Sequence, residues 1–127
     1  DAMELSKQQF REIFSGGRGS IKSALMKQEK ICGIGNIYGD EILYQSGIAP
    51  DVRLSQLSDE QIEQIYKKTH KVLKEAVERQ ADPARMPRTW LLNHRDEKDK
   101  CPRCGAGIKR VKISGRYCYM CPGCQKG

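Results

Sequence analysis

Cys101-Pro-Arg-Cys104 and Cys121-Pro-Gly-Cys124 stand near the end of the chain with sixteen residues between them, and no other feature constrains the fold as strongly. Thiolates at this spacing bring two short knuckles face to face around one tetrahedral zinc ion. The 27 residues from Cys101 onward cannot bury enough apolar surface to fold alone. A metal cross-link supplies what such a small core cannot. Pro102 and Pro122 stiffen the knuckles, and Gly105 after the first pair permits a tight backbone path. The competing reading of the four residues is a pair of disulfides.

The second pair has two possible registers, because Cys118 lies three residues before Cys121. If Cys118 and Cys121 were the pair, Pro122 would follow the last ligand and could donate no N–H toward its sulfur. Pairing Cys121 with Cys124 avoids this and repeats the Cys-Pro-x-Cys form, which favours the later register. Cys118 then falls in a strand-like run, Tyr117-Cys118-Tyr119-Met120, as a packed thiol.

Charge separates the chain into unlike parts. Residues 1–80 hold twelve Lys/Arg and twelve Asp/Glu, whereas residues 81–127 hold eleven basic and four acidic side chains. The net charge of +7 therefore sits in the last third. From Cys101 onward there is no Asp or Glu, only Arg103, Lys109, Arg110, Lys112, Arg116 and Lys126. Four thiolates with one Zn²⁺ would subtract part of that excess and still leave a basic lobe, which suits a polyanion. No run of about eighteen apolar residues occurs, so no segment reads as a membrane-spanning helix, and no signal-peptide pattern opens the chain. Five of the six cysteines follow residue 100. Four have metal spacing, which points to a reducing, cytosolic setting.

The periodicity predicts four helices. The first covers residues 5–14, and Ser15-Gly16-Gly17-Arg18-Gly19 breaks it. Ser20 caps a second through Lys27, with Ile21, Ala24 and Leu25 on one face. Asn36 caps a third to about Gln45, with Ile37, Tyr38, Ile42 and Leu43 as a wide apolar face, and Gly47 stops it. Ser58 and Gln61 form a capping-box pair for a fourth, in which Ile62, Ile65, Tyr66, Val72, Leu73, Ala76 and Val77 keep a 3.6 period to about Arg79. A linker over 81–100 carries one apolar cluster, Trp90-Leu91-Leu92, expected to dock on a lobe. Two small β-hairpins around zinc complete a mainly α chain of three parts: a helical lobe (1–80), a linker (81–100) and a zinc-binding finger (101–127).

Within the helical lobe, Cys32-Gly33-Ile34-Gly35-Asn36-Ile37-Tyr38 places two glycines just ahead of a helix. Glycines let the backbone come close to a bulky partner, and the first N–H groups of the helix point outward, an arrangement that binds phosphate. A tight turn needing glycine for steric reasons explains the same residues. The pattern lacks the preceding strand and third glycine of a Rossmann fingerprint, and the Gly-Lys-Ser/Thr of a Walker A loop.

Ile21-Lys22-Ser23-Ala24-Leu25-Met26-Lys27-Gln28, then residues 33–43 from Gly33-Ile34-Gly35-Asn36 to Ile42-Leu43, then Ser46-Gly47-Ile48-Ala49-Pro50, resemble the helix-two-turn-helix domain of formamidopyrimidine-DNA glycosylase and the related endonuclease VIII enzymes. Gly115-Arg116, five residues before Cys121, and the ending Cys121-Pro-Gly-Cys124-Gln125-Lys126 resemble the same family's C-terminal zinc finger. The match covers most of the chain in order. It implies Cys101, Cys104, Cys121 and Cys124 as zinc ligands, and a clamp on damaged double-stranded DNA. In that clamp Gly35 and Asn36 at the turn, Lys22 opening the second helix and Arg116 at the hairpin tip would contact backbone phosphates, which position without specifying sequence.

The family's nucleophile is an N-terminal proline, or a small residue in its place, whose amine forms a Schiff base, with an adjacent Glu as acid/base. This sequence begins Asp1-Ala2-Met3-Glu4. The resemblance therefore implies the C-terminal half of a base-excision DNA glycosylase/AP lyase for oxidised bases, separated from its N-terminal catalytic domain and inactive alone. The 80–100 linker is shorter than in 8-oxoguanine-specific members, where it carries a lesion-covering loop, so an endonuclease VIII-like range is open. Two rival expectations stand beside this: a free-standing nucleic-acid-binding zinc module, and a ribbon that docks protein.

Overall fold

The computed structural model describes residues 6–14, 18–27 and 36–126. The expected turn residues 31–35, with Gly35, lie outside that set. So do residue 5 of the first expected helix and residues 15–17 of the breaker.

Four α-helices are described. The first, α1 (Lys7–Phe14), starts where Ser6 and Gln9 bond each other's backbone N–H, at 3.1 and 2.9 Å. Phe10 and Phe14, one turn apart, are buried with ring centroids 4.4 Å apart, while Ile13 faces outward. The second, α2 (Ile21–Lys27), is capped by Ser20, whose Oγ accepts from Ser23 N at 3.1 Å. The fourth, α4 (Asp59–Glu78), opens on the Ser58–Gln61 capping box and buries Ile62, Ile65, Thr69, Val72, Leu73 and Ala76. Val77, expected on that face, is 69% exposed: the apolar stripe has rotated away by the last turn.

The third helix, α3 (Asn36–Ser46), organises the rest. Every residue from Gly39 to Gln45 is buried, so it is enclosed on all sides rather than on one stripe. The helix ends at Gly47, whose φ of +72° reverses the chain in a conformation that suits glycine. Of its expected apolar face, Ile42 and Leu43 are in the core but Ile37 is 46% exposed. The burial of Asp40 and Glu41 takes up the difference.

The linker is ordered against this helix. Short 3₁₀ turns at Pro83–Arg85 and Leu91–His94 bracket Trp90 and Leu91, both buried. The amides of Leu91 and Leu92 donate to the Glu41 carboxylate at 3.2 and 2.7 Å. Gln45 Nε2 donates to the same group at 3.0 Å. Burial pushes the Glu41 carboxyl above its ordinary pKa, with these three hydrogen bonds pulling the other way.

After the linker, β1 (Lys109–Ile113) and β2 (Arg116–Met120) pair antiparallel, with Val111 opposite Cys118. Ser114 and Gly115 join them at φ values of 52° and 82°, the left-handed pair that a two-residue hairpin turn requires. The expected second hairpin is absent among the described residues: around the first knuckle only one bridge forms, Lys100 to Gly107. Its N–H groups are committed elsewhere, those of Arg103 and Cys104 toward Cys101 Sγ and that of Gly105 toward the Cys101 carbonyl. Across its two arms run Cys101 N to the Ala106 carbonyl at 2.7 Å and Ile108 N to the Asp99 carbonyl at 3.0 Å.

One apolar core runs through the lobe and linker into the ribbon, since Phe10, Leu25, Leu43, Val72, Met86, Trp90 and Met120 belong to one cluster. Leu91 sits in a second cluster with Tyr44, Cys101, Ile108 and Cys121, which joins α3 to the knuckles. Replacing Leu91 by Ala should cost roughly 2–5 kcal/mol of stability, measured by urea unfolding. A variant as stable as the parent would mean that the linker only drapes over the lobe.

Candidate metal centre and nucleic-acid interface

The four sulfurs of Cys101, Cys104, Cys121 and Cys124 lie within 4.8 Å of one another. Cys101 Sγ is 3.7 Å from Cys124 Sγ, and Cys104 Sγ is 3.4 Å from Cys121 Sγ. Sulfurs about 2.3 Å from a tetrahedral zinc would be roughly 3.8 Å apart, so the donor set fits such an ion in kind and in spacing. Backbone amides support the cluster: Arg103 N and Cys104 N point at Cys101 Sγ (3.4 and 3.5 Å), and Cys124 N at Cys121 Sγ (3.4 Å). A Cβ on Gly123 would lie 3.1 Å from Cys104 Sγ, so a side chain there would crowd the sulfur cluster.

Outside the sulfurs, Tyr44 on α3 places its hydroxyl 3.0 Å from Cys101 Sγ. Burial keeps the phenol protonated well above its usual range, so it serves as donor to the sulfur. The Gln125 side-chain oxygen Oε1 accepts from Cys121 N at 2.9 Å while its Nε2 donates to the Ile48 carbonyl at 3.0 Å. Through these two residues the knuckles are tied to α3 and to the loop after it. Neither tie was read from the sequence; the Tyr and Gln there carry no spacing signal.

Cys118 is not in the cluster. It is fully buried on β2, with its sulfur 3.3 Å from Lys22 Nζ. Burial pushes its thiol up, partly offset by the Lys22 charge, so it stays protonated where a ligand would be a thiolate.

The residues expected to meet phosphate converge on the other end of α3. Asn36 opens that helix, and its Nδ2 donates to the Tyr117 carbonyl at 3.2 Å. Tyr117 follows Arg116, the first residue of β2 and exposed. At the hairpin tip the Ser114 hydroxyl meets that of Ser23 on α2 at 2.6 Å. Arg110 and Lys112 lie over the exposed Tyr117 ring, at 4.3 and 5.8 Å from its centroid. The helical turn and the finger tip thus share one edge.

Lys22 is on that edge but not on its surface. Its side chain is fully buried, paired with Asp40, and donates to Asn36 Oδ1 at 2.8 Å. Asp40 is itself buried and its second oxygen accepts from Arg95 Nη2 (2.8 Å) and from Tyr119 N (3.1 Å). One carboxylate thereby holds α2, the linker and β2. The sequence carried one sign of this, two adjacent acids inside an apolar helix, which the helical period alone left unexplained.

A helix-two-turn-helix lobe packed on a four-cysteine hairpin finger defines a class of DNA-directed proteins. Residues 2–87 match the formamidopyrimidine-DNA glycosylase H2TH domain, and residues 98–127 match the zinc finger found in FPG and IleRS. The chain belongs to the formamidopyrimidine-DNA glycosylase family. Formamidopyrimidine-DNA glycosylase of Listeria monocytogenes is 32% identical over 117 residues, covering 84% of this chain and 43% of that protein. The Ureaplasma parvum enzyme is 32% identical over 130 residues, covering 94% and 47%. Among solved structures, Lactococcus lactis Fpg in complex with DNA containing an abasic site superposes with a TM-score of 0.81 at 30% identity, over 96% of this chain and 48% of that one. The same enzyme with Fapy-dG DNA gives 0.81 at 28%, with the same coverage. The chain spans about half the length of these relatives. No described helix is long and apolar enough to cross a membrane.

Converting Asp40 to Asn leaves two buried or half-buried cations without their counter-charge. Breaking a buried pair from one side costs on the order of 3–5 kcal/mol, and calorimetric unfolding of Asp40→Asn should show a loss of that size. A loss below about 1 kcal/mol, the scale of an exposed pair, would show that solvent reaches the site.

Proposed function

We propose that residues 1–127 form the DNA-gripping portion of a base-excision DNA glycosylase/AP lyase that acts on oxidised bases. Damaged duplex DNA is its partner, and zinc held by Cys101, Cys104, Cys121 and Cys124 fixes the finger. The observation that carries this reading is the Asn36 Nδ2 to Tyr117 carbonyl bond, which sets the N-terminus of α3 beside Arg116. The Asn36 side-chain amide, the first backbone amides of α3 and the Arg116 guanidinium are donors of the kind that suits adjacent phosphates on one strand. Gly35, outside the described residues, would as a glycine let the backbone approach a strand closely. Lys22 stands behind Asn36. Zinc supplies the cross-link that lets so short a finger hold Arg116 in place.

Support comes from the similarity to Lactococcus lactis Fpg in its complexes with abasic-site and Fapy-dG DNA, and from a basic excess confined to residues 81–127. The stand-alone nucleic-acid module and the protein-docking ribbon are the outcomes that would displace it.

Two measurements test the reading. Metal analysis should give one zinc per chain, unchanged in Cys118→Ser and lowered in Cys124→Ser. The opposite pattern would move the register to Cys118. Titration of a fluorescent duplex should show Arg116→Ala and Asn36→Ala each weakening binding roughly ten- to a hundredfold, the scale of a lost charge-assisted hydrogen bond. Arg116→Ala should also flatten the salt slope by about one ion, whereas neutral Asn36 leaves it unchanged. Lys126→Ala, at the periphery, should cost less than about 1 kcal/mol. Binding that ignores salt, or an Arg116→Ala chain that binds like the parent, would favour a protein partner instead.

A further inference from the structure

We infer that Lys22 is a positioning residue for DNA binding, one that acts through Asn36 and touches no phosphate itself; this rests on the reading that Asn36 contacts phosphate. Three observations carry it. The side chain of Lys22 has no exposed surface. Its ammonium has acceptors on all sides that its three protons can use: the Asp40 carboxylate, Asn36 Oδ1 at 2.8 Å and the Asn36 carbonyl at 3.3 Å, with Cys118 Sγ at 3.3 Å. Its stem packs tightly against Gly39, since an added Cβ there would lie 3.1 Å from Lys22 Cε and push the stem by a few tenths of an ångström. A charge so enclosed and so fully paired has nothing left to offer an external anion.

What Lys22 does control is the side-chain amide of Asn36. An amide can present either its oxygen or its nitrogen to a ligand, and only the nitrogen donates to phosphate. With its ammonium fixed on Oδ1, Lys22 turns Nδ2 to the opposite side of the amide, toward the hairpin, where it donates to the Tyr117 carbonyl. Asp40 in turn holds Lys22, and through Arg95 and Tyr119 N it fixes the same reference frame in the linker and β2. The amide is therefore oriented before DNA arrives, and binding need not select one of two flips.

The test is a double-mutant cycle on the zinc-loaded chain, titrating a fluorescein-labelled duplex carrying a tetrahydrofuran abasic-site analogue at several salt concentrations. Lys22→Met should weaken binding by about the same factor as Asn36→Ala, with an unchanged salt slope. In the Asn36→Ala background it should add nothing further, because its route of action is gone. A slope flattened by about one ion together with additive losses would make Lys22 a direct phosphate contact and overturn the inference. Wild-type affinity in Lys22→Met would overturn it as well. If Lys22→Met does not fold, Gly39→Ala replaces it, since the added methyl crowds the Lys22 stem without removing any charge. This variant should lose affinity several-fold, through Asn36 alone, with an unchanged salt slope. Parent-like affinity in Gly39→Ala would refute the inference. The underlying reading fails separately, if Asn36→Ala and Arg116→Ala both bind like the parent.

Discussion

Asp40 is the group on which the rest of the structure depends. A carboxylate with no exposed surface is tolerated only when its charge is neutralised and its lone pairs are filled. Here the fillers come from three separate stretches of chain: Lys22 from α2, Arg95 from the linker and the amide of Tyr119 from β2. Glu41, the next residue, repeats the device with Leu91, Leu92 and Gln45. Two adjacent acids at the centre of an enclosed helix thus specify which segments must surround it. Hydrophobic burial drives the assembly, since Phe10, Leu43, Trp90 and Met120 share one core, but it is indifferent to register. The carboxylates are not.

The same helix reaches both chemical regions. Asn36 at its start faces the hairpin carbonyl of Tyr117, and Tyr44, two turns on, meets the sulfur of Cys101. The finger is therefore seated on the lobe at two places along α3 rather than hung from the linker. A third seat lies past the helix end, where the Gly47–Ala49 backbone exchanges hydrogen bonds with Lys126. For a grip on a polyanion this matters because the donors must keep fixed separations to match phosphates along a strand. Arg116 is held by a finger that cannot tilt without breaking these contacts.

Much of this was legible in the sequence, and the limits have physical causes. The knuckles and their register followed from spacing and from the missing N–H of proline, and the four helices from caps and period. The Ser58–Gln61 box and the stop at Gly47 stand where they were expected. The second hairpin is reduced to one bridge, held by Cys101 N to Ala106 O and Ile108 N to Asp99 O, while the amides of Arg103 and Cys104 between its arms aim at sulfur. The two adjacent acids inside an apolar helix hinted at a buried role for Asp40, but its partners, 55 and 79 residues on, leave no local signature. Lys22 was the hardest case: a lysine at a helix start reads as solvent-facing, and only the partners brought by later segments bury it.

Those later segments set an order of events. Lys22, Asp40 and Glu41 are made early, yet their partners lie at 91, 92, 95 and 119. A nascent chain emerging from the ribosome therefore carries α3 with only Lys22 and Gln45 at hand for its acids, and the remaining donors follow with the linker and the strand bearing Tyr119. Contacts of such long span slow folding, because loops must close before they are rewarded. The lobe that would be judged complete from its helices alone gains its full set of buried partners only when the finger arrives.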